Sequence, residues 1–400
     1  MANKKLKNVV IINDFDYIQG GASKVAIQTA NLLADEGLKV YFFSGHSIGN
    51  NDLNENVKRV CTNQGEALKD SNKIRGCING LYNFKAKKEL KRLLLTLDKE
   101  ETIIHIHGWT KSLSSSVFSV AFKLNYKITL TTHDYFTACP NGAYFNYCTN
   151  SICTLKPLSW RCIKCNCDSR NYAFKLYRLV RQFVQNKIVR LNNRIKYVIS
   201  LSDLSEKILR KTLNKDVIIK RIYNPIEIDK NIKKVDINKN EYYLFLGRVS
   251  QEKNITEFCD AITKLDLKGL VVGDGNLLEE LKEKYKKIEF VGWQSGENLK
   301  KYILKARTLI FPSKIYEVAP LTPFEVMQYG IPCIVSSCCA ATEYINKHNG
   351  LIYNIEDEND LVNKIKENEK IINNYKVTIE KKYLKGYVEE IKKYYLDILN

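Results

Sequence analysis

The stretch Phe311–Ser337, FPSKIYEVAPLTPFEVMQYGIPCIVSS, holds half of a parallel α/β unit. An apolar strand runs into Pro312, and a polar loop leads to a helix that begins near Pro323 and ends at Gly330. A second apolar strand follows Pro332. In such folds ligands bind at the carboxyl ends of the strands, where helix N-termini point into the crevice. The stretch therefore predicts a ligand site at one edge of a parallel sheet.

Two acids in this stretch are candidates for that site. Glu325 lies in the first turn of the predicted helix, where an acid also complements the helix dipole without any ligand. Glu317 lies in the loop between Tyr316 and Val318, and nothing local accounts for an acid there. Glu325 is therefore either a ligand contact or a helix cap, whereas Glu317 points to function.

The length of the chain, 400 residues, predicts two domains of roughly 200 residues each. An apolar content of 44% excludes a disordered chain, and no run of about 18 apolar residues occurs that could span a membrane. The N-terminus, MANKKLKNVVIIND, has too short an apolar run for a signal peptide. We therefore expect a cytoplasmic protein whose twelve cysteines are mostly reduced.

The positive charge of the chain is concentrated in its first half. Residues 1–200 contain 30 Lys/Arg and 14 Asp/Glu, whereas residues 201–400 contain 33 and 30. A Lys-rich composition alone would raise both halves equally. The asymmetry predicts that the first half meets a polyanion or an anionic surface.

The predicted first domain, residues 1–223, opens with a buried strand over Asn8–Asn13 and a glycine loop containing Gly20 and Gly21. A helix over Lys24–Glu36 follows, so backbone N–H groups of the loop can approach a phosphate or a sugar. The pair Asp14 and Asp16 resembles a metal-binding motif, but its place at a strand end favours a turn or cap.

A later strand of this domain, Lys127–Thr132, ends directly before His133 and Asp134. Residues beyond the carboxyl ends of parallel strands commonly carry the chemistry of α/β proteins. His133 is therefore a candidate functional residue, the alternative being a histidine that is hydrogen-bonded within its loop.

A cysteine-rich basic insertion, about residues 139–195, interrupts the α/β pattern. In a cytoplasmic protein six cysteines within 29 residues favour a structural zinc site, and reduced cysteines that merely pack are the alternative. Zinc needs four ligands in tetrahedral geometry. The predicted ligands are Cys139, Cys153, Cys162 and Cys167.

The same insertion contains a predicted amphipathic helix over residues 171–194. Leu176, Leu179, Val180 and Phe183 share one side, and most arginines lie elsewhere. Such a helix can lie on an anionic bilayer. The alternative is an ordinary helix with its apolar stripe in the core and its basic face in solvent.

A polar linker, residues 224–240, leads to a second α/β domain, residues 241–375, and residues 376–400 are expected to form a helix that returns to the first domain. Glycine-rich and charged residues follow two strands of the second domain. They are Gly247, Arg248 and Lys253 after the first strand and Gly273, Asp274 and Gly275 after the next. No signature of nucleic-acid binding occurs.

These pieces together resemble glycosyltransferase family 4 of the GT-B fold, in which two Rossmann-like, doubly wound domains face a central cleft. The resemblance covers nearly the whole chain. Its markers are the Gly20-Gly21 loop, His133-Asp134, GRVSQEK at 247–253, VVGDG at 271–275 and the pair Glu317 and Glu325. The segment HDYFTACPNG also resembles bacterial surface-polysaccharide glycosyltransferases.

The resemblance implies a retaining, metal-independent transfer that needs no cofactor. Arg248 and Lys253 would neutralise the diphosphate of a nucleotide-sugar donor, with Glu325 on the ribose and Glu317 facing the sugar. His133 would contact the donor sugar or the acceptor, and Gly21 would lie close to the donor diphosphate or acceptor. Val318-Ala319, which follows Glu317, departs from the family pattern of small or aromatic residues.

The resemblance also implies an acceptor glycan bound by the first domain. We expect it to be linked to polyprenyl diphosphate, in the synthesis of O-antigen, capsule or exopolysaccharide. The protein would then be peripheral on the inner face of the plasma membrane. A GT-B-fold epimerase or phosphorylase, and a non-catalytic basic module that binds membranes or polyanions, are the alternatives.

Overall fold

The computed structural model describes residues 5–226, 232–384 and 386–400, and it divides into two compact units. Unit 1 contains the chain up to Ala143, Leu155–Pro225 and the C-terminal helix. Unit 2 contains Tyr144–Thr154 and the chain from Ile226 to Leu384. The segment Tyr144–Thr154, predicted as part of the first domain, thus groups with unit 2. Residues 1–4, the start of the stretch from which the absence of a signal peptide was predicted, lie outside the described residues.

Strands and helices alternate along both units. The strands are β1 (Asn8–Phe15), β2 (Lys39–His46), β3 (Lys58–Cys61), β4 (Thr102–Ile106), β5 (Lys127–Thr131), β6 (Phe145–Asn146), β7 (Ser151–Ile152), β8 (Tyr197–Ser200), β9 (Ile218–Arg221), β10 (Tyr242–Leu246), β11 (Lys268–Val272), β12 (Glu289–Phe290), β13 (Ala306–Phe311), β14 (Cys333–Ser336) and β15 (Gly350–Tyr353).

The α-helices connect these strands. They are α1 (Gly21–Asp35), α2 (Lys73–Leu81), α3 (Phe84–Leu94), α4 (Ser116–Lys123), α5 (Trp160–Lys164), α6 (Tyr172–Phe183), α7 (Leu191–Arg194), α8 (Asp203–Leu209), α9 (Ile255–Lys264), α10 (Leu278–Lys284), α11 (Gly296–Ile303), α12 (Thr322–Met327), α13 (Asp360–Ile371) and α14 (Tyr387–Leu399). Among the described residues, no helix combines the length and the apolar character that crossing a membrane requires.

Each unit is built on one fully parallel sheet. The strand order is β3-β2-β1-β4-β5-β8-β9 in unit 1 and β12-β11-β10-β13-β14-β15 in unit 2. The order reverses beside β1 and beside β10, and this reversal is the hallmark of the doubly wound Rossmann arrangement. The prediction of two Rossmann-like domains is therefore confirmed.

Continuous apolar runs account for the central strands. All eight residues of β1 are buried, and the middle of β10 is buried as well. A strand covered by helices on both faces needs apolar side chains at successive positions, not at alternate ones. The sequence pattern therefore identified these strands directly.

The predicted linker, residues 224–240, is partly packed onto unit 2. Residues 227–231 lie outside the described residues. Beyond them, Val235 N donates to Tyr329 O (2.9 Å), and Asn240 Nδ2 donates to Leu304 O and Ala306 O (both 2.8 Å). These bonds attach the described part of the stretch to the rest of unit 2, one of them at the start of β13.

The predicted helix over residues 171–194 is broken and faces the opposite way. Helix α6 ends at Phe183, a π-helical turn covers Val184–Ile188, and Arg190 adopts the left-handed conformation (φ 60°) before α7. The side chains of Leu176, Val180 and Phe183 are exposed. A core-facing apolar stripe with a solvated basic face is therefore the wrong description of this helix.

The inner face of α6 is polar because it satisfies a buried loop. Arg178, Arg181, Gln182 and Gln185 donate to backbone carbonyls of residues 136–141 over 3.0–3.3 Å. Irregular buried backbone must find hydrogen-bond partners. Long polar side chains of α6 supply them, so the apolar residues are left on the outside.

The C-terminal region is not one long helix. Helix α13 packs within unit 2, and α14 begins at Tyr387 and lies within unit 1. In α14, the hydroxyl of Tyr387 hydrogen-bonds Thr29 Oγ1 (2.7 Å), and Lys392 pairs with Glu36 (2.7 Å). Of the predicted segment 376–400, Lys385 lies outside the described residues.

Candidate functional site

Two glycine-containing loops lie back to back at the carboxyl edge of the unit 2 sheet. Val249 N donates to Asp274 O (3.0 Å), and Gly273 has φ +147°. A Cβ added at Gly273 would lie 1.8 Å from Gly247 O, and one at Gly275 would lie 2.1 Å from Val249 O. Only glycine allows this close backbone approach. These glycines therefore have a packing role. Their predicted contact with the donor stays a prediction.

Alanine at Gly273 is expected to destabilise unit 2, because neither the close carbonyl oxygen nor the positive φ tolerates a Cβ. We expect a loss of about 2 kcal/mol or more in the free energy of unfolding. Gly21→Ala is the matched control, because a Cβ there meets nothing within 4 Å. Chemical denaturation of both variants measures the difference. Equal stability of Gly273→Ala and wild type would contradict the packing role.

Lys253 and Glu317 form an ion pair beside these loops. Their side chains are 22% and 15% exposed, and Ser313 Oγ donates to the same carboxylate oxygen, Glu317 Oε1 (2.6 Å). The pair joins the loop after β10 to the loop after β13. Lys314 N also donates to Glu252 O (2.9 Å), which fixes the two loops together. A partly buried ammonium is thereby held in place at the strand ends.

Arg248 is the more accessible cation of this edge. Its side chain is 69% exposed, and its Nη1 lies 3.7 Å from Glu252 Oε1. Glu252 is buried, so it holds one end of a guanidinium whose remaining donors face solvent. Arg248 and Lys253 thus give this edge one accessible and one shielded positive charge.

Glu325 lies in the first turn of α12, half-buried, where its backbone N–H bonds Leu321 O (3.0 Å). The helix starts with Pro323 in its first turn, as the sequence predicts. This position agrees with both predicted roles of Glu325, the helix cap and the ligand contact. A carboxylate here lies at the N-terminus of the helix dipole and also at the edge of the sheet.

A small hairpin from the cysteine-rich insertion belongs to this edge of unit 2. Strands β6 and β7 form it, and Gln251 Nε2 donates to Tyr147 O (3.0 Å). The rings of Tyr144 and Tyr316 lie 6.4 Å apart, next to Glu317 in the chain. No sequence pattern predicts this contact, because the hairpin is more than 100 residues from the loops it touches.

In unit 1, the Gly20-Gly21 loop opens helix α1. Ser23 Oγ accepts from Gln19 N (2.9 Å) and Gly20 N (3.1 Å), so the side chain closes the first turn. Both glycines are exposed, and a Cβ at either would meet nothing within 4 Å. Among the described residues no contact requires glycine at these two positions, and the predicted ligand contact of the loop stays a prediction.

Three histidines form a column at the ends of β4 and β5. His107 Nδ1 and His133 Nε2 are hydrogen-bonded (2.9 Å), and the rings of His105 and His107 lie 4.0 Å apart. His105 is also bonded to Tyr395 of α14 (2.6 Å) and to Thr131 (2.6 Å). The alternation His105-Ile106-His107 on one strand was the signal in the sequence, since alternate residues share a face.

Burial keeps this column neutral at pH 7. Loss of hydration lowers the pKa of His133 to about 4 and that of His105 to about 3, and it lowers the pKa of His107 as well. Burial also raises the pKa of Asp134 to about 6. His133 can therefore form a hydrogen bond to a ligand but brings no positive charge to it.

Asp14 is a structural acid, as its position at a strand end predicts. Its Oδ1 accepts from Ser112 N (2.8 Å) and Leu113 N (3.1 Å), and its Oδ2 accepts from Lys111 N (3.0 Å). A buried carboxylate that caps three backbone N–H groups has an internal role. The structural role predicted for Asp14 is thus observed, but as a cap on backbone 97 to 99 residues away and not as the local turn or cap that was predicted.

The predicted zinc ligands belong to both units. Cys153 lies in unit 2, whereas Cys139, Cys162 and Cys167 lie in unit 1. Among the residues that the structure describes, no group of three or more His, Cys, Asp or Glu is placed to hold a metal ion. The buried ammonium of Lys175 lies 3.1 Å from Cys167 Sγ and 3.6 Å from Cys162 Sγ. A cation between two sulfurs repels a second cation, so these residues do not fit a zinc ion.

The predicted residues thus fall into two groups at two sheet edges. The unit 2 group contains Gly247, Arg248, Lys253, Gly273, Asp274, Gly275, Glu317 and Glu325, and the unit 1 group contains Gly20, Gly21 and His133. Sequence reasoning missed Ser313, Glu252 and the two inner histidines. Ser313 and Glu252 lie within stretches that the sequence analysis singled out, but their roles depend on loops that meet only in the folded chain.

Comparison with known proteins assigns the second unit to a family. Residues 227–385 match the family described as "Glycosyl transferases group 1". The chain is 30% identical over 200 residues to a Campylobacter jejuni protein, GalNAc-alpha-(1->4)-GalNAc-alpha-(1->3)-diNAcBac-PP-undecaprenol alpha-1,4-N-acetyl-D-galactosaminyltransferase. That match covers 46% of this chain and 54% of the relative.

A second relative is the Escherichia coli UDP-Gal:alpha-D-GlcNAc-diphosphoundecaprenol alpha-1,3-galactosyltransferase. It is 25% identical over 186 residues, which are 41% of this chain and 47% of that protein. The chain therefore spans about half the length of these curated relatives.

The fold has solved counterparts over its full length. Sucrose-phosphate synthase from Thermosynechococcus elongatus superposes with a TM-score of 0.66 at 18% identity, over 98% of this chain and 96% of that one. Such a likeness shows the fold, and the matching structures are GT-B glycosyltransferases. The assignment to family 4 stays a prediction. Residues 227–385 thus match the group 1 glycosyl transferases, and the fold of the chain is GT-B.

Proposed function

We propose that this protein transfers a sugar from a nucleotide-diphosphate sugar to a lipid-linked glycan in the synthesis of a bacterial surface polysaccharide. The observation that carries the proposal is the Lys253–Glu317 ion pair, held by Ser313 at the carboxyl edge of the group 1 domain. The two curated relatives support it, because both names contain an undecaprenol-diphosphate acceptor and one contains a UDP-sugar donor.

The cations of unit 2 are the groups that we assign to the donor diphosphate. As the bond between sugar and diphosphate breaks, negative charge grows on the leaving group. Fixed cations that meet this charge lower the barrier. Arg248 is accessible enough to bind the diphosphate first, and Lys253 is positioned beneath it by Glu317.

The acids of unit 2 take different parts in this proposal. Glu325 accepts hydrogen bonds from the ribose hydroxyls at the start of α12. Glu317 orients Lys253 and faces the transferred sugar, so its contribution is both positional and direct. Asp274 and the glycine loops form the wall of the donor site, with Gly247, Gly273 and Gly275 allowing the two loops to meet.

We further propose that transfer retains the anomeric configuration. The acceptor hydroxyl attacks on the face from which the diphosphate departs, and the leaving phosphate oxygen takes up the hydroxyl proton. The C–O bond to the diphosphate breaks as the C–O bond to the acceptor forms. No carboxylate nucleophile is then required, which agrees with Glu317 being engaged by Lys253 and Ser313.

Unit 1 is proposed to bind the acceptor. Its exposed Gly20-Gly21 loop and the neutral imidazole of His133 are suited to sugar hydroxyls or to a donor sugar, which need hydrogen bonds and not charge. The positive balance of residues 1–200 suits a diphosphate-linked acceptor and an anionic membrane surface at the inner face of the plasma membrane.

A donor screen followed by an activity assay tests this function. We expect one nucleotide sugar to raise the thermal stability, because a ligand at about 100 times its Kd adds about 2.7 kcal/mol. That sugar, with polyprenyl-diphosphate-linked glycan, is expected to give free nucleoside diphosphate and an extended glycan whose anomeric proton shows the donor's configuration by NMR. Isomerised donor without transfer, or no turnover with any donor, would contradict the proposal.

A further inference from the structure

Helix α6 exposes its large apolar side chains along one line. Leu176, Val180 and Phe183 are 45%, 48% and 55% exposed and follow one another at spacings of four and three residues. Residues so spaced lie on the same face of a helix. We call these three side chains the apolar ridge.

The exposure of the ridge is built into the fold. The opposite face of α6 carries Arg181, Gln182 and Gln185, which hold the buried carbonyls of the loop 136–141. Turning the helix to bury the ridge would break these bonds and leave the carbonyls without partners. A buried carbonyl without a hydrogen-bond partner is unfavourable, so these bonds hold the helix with its apolar side outward.

A second helix adds apolar surface beside α6. A Cβ added at Gly80 of α2 would lie 1.9 Å from the hydroxyl of Tyr177, so the two helices touch there. On α2, Ile74 and Ile78 are also exposed, one helical turn apart. Two adjacent helices thus present aliphatic or aromatic side chains to the outside, which is more than scattered surface residues would give.

The charged residues of the segment that contains the ridge are almost all basic. Residues 156–196 contain eleven Lys/Arg and a single acid, Asp168. Asp168 is buried and pairs with Arg178 (2.7 Å), so it contributes no negative charge to the surface. Lys164, Arg170 and Lys187 are exposed near the two ends of α6. The ridge is therefore an apolar line flanked by cations.

We propose that the apolar ridge inserts into the interface of an anionic bilayer, with Lys164, Arg170 and Lys187 on the lipid phosphates. Helices of this kind lie in the membrane plane, with apolar residues at the headgroup–acyl boundary and basic residues among the headgroups. The inference rests on the proposed function, because an enzyme of lipid-linked glycans must work at the surface that holds its acceptor. It assigns the contact to three apolar residues of α6.

A second copy of the chain is the less suitable occupant. Pairing two ridges would bring their flanking cations together without any exposed acid of the segment between them. Like charges that face each other across an interface are unfavourable. An anionic lipid surface removes that repulsion.

Vesicle co-sedimentation of the whole chain tests the inference. We expect wild type to bind vesicles that contain phosphatidylglycerol and to bind phosphatidylcholine vesicles much less. The variant V180S/F183S is expected to lose about tenfold or more of that binding, because the inserted apolar area is removed. The matched control is L95S/I218S, which removes two side chains of unit 1 that are 66% and 55% exposed and lie off the ridge. The control is expected to bind as wild type does.

Two further measurements separate this inference from the proposed function. Turnover with a detergent-solubilised acceptor is expected to be the same in V180S/F183S and wild type. Failure of wild type to bind anionic vesicles, or equal binding by V180S/F183S, would overturn the ridge inference while donor turnover stands. A wild type that is dimeric by light scattering and becomes monomeric in V180S/F183S would identify the ridge as a protein interface and also overturn it. Absence of donor turnover in wild type would count against the proposed function alone.

Discussion

Lys253→Ala is expected to lower the rate of sugar transfer by about two to three orders of magnitude while the protein stays folded. The ammonium of Lys253 is held at the sheet edge by Glu317, so it needs no rearrangement when charge develops on the leaving diphosphate. A preorganised cation in a partly buried site stabilises such charge far more than a mobile surface cation does. The measurement is the release of nucleoside diphosphate in the presence of acceptor.

The control for this variant is Lys282→Ala, which removes an exposed lysine of α10 in the same unit. It is expected to retain full activity. Because Lys253→Ala leaves the carboxylate of Glu317 without its cation, K253A/E317Q removes both charges. If the single variant unfolds, the double variant is expected to fold and still to be inactive. Full activity in either variant would refute the role of Lys253 at the diphosphate.

Glu317→Gln separates positioning of the lysine from binding of the donor. With the ion pair gone, Lys253 keeps its charge but loses its fixed place, so the affinity for nucleoside diphosphate is expected to persist while kcat falls. A donor affinity that drops as sharply as kcat would instead make Glu317 a direct donor contact. Comparing Kd with kcat in this variant therefore distinguishes the two parts proposed for Glu317.

Acidification from pH 7 to pH 5 is expected to destabilise unit 1 strongly. Burial lowers the pKa of His105 to about 3 and of His133 to about 4, and that of His107 also falls, whereas unfolded histidines titrate at about 6.5. Below pH 6.5 the unfolded chain therefore binds protons that the folded chain does not. By linkage, stability falls as pH drops through this window.

Asp134 opposes the histidines but does not cancel them. Its pKa is raised to about 6 by burial, so the folded chain takes up a proton there that the unfolded chain takes up only near pH 4. Three histidines against one aspartate leave an uptake of about two protons on unfolding near pH 5. The free energy of unfolding is then expected to fall by about 3 kcal/mol per pH unit in this range.

Urea unfolding at pH 7, 6 and 5 measures this effect. Fluorescence of Trp109 can follow it, since that residue is buried in unit 1. In His133→Gln the number of protons taken up on unfolding is expected to fall by about one, so that stability depends less steeply on pH. Glutamine can hold the hydrogen bond to His107 but does not titrate. His348→Gln is the control, because His348 is exposed in unit 2. A stability that does not change between pH 7 and pH 5 would contradict a neutral histidine column.

Sequence patterns alone were enough to predict the fold and the sheet edge at which the candidate site of unit 2 lies. The apolar strands predicted before Pro312 and after Pro332 are β13 and β14, and they could be predicted because strands buried on both faces must be apolar throughout. Lys253, Glu317 and Glu325 follow or open elements whose ends meet at one sheet edge. Local patterns suffice for such residues, since parallel topology brings all carboxyl ends together.

The same local patterns failed wherever a partner came from a distant part of the chain. The apolar side of α6 was expected either at a membrane or in the core, and its outward direction was decided by the carbonyls of residues 136–141. The cysteine spacing indicated zinc, but Lys175 lies between two of the sulfurs. Spacing along the chain cannot show which groups will meet across it.

Three features of the molecule could be seen only in the folded chain. They are the pairing of Lys253 with Glu317, the neutrality of His133 and the outward direction of the apolar ridge on α6. An ion pair across 64 residues, a desolvated imidazole and an exposed apolar face each depend on what lies next to the side chain in space. Periodicity and motif spacing in the sequence predict which residues lie on one face or at one end of a single helix or strand. The neighbours of those faces are set when the elements pack, and they decide charge, exposure and chemistry.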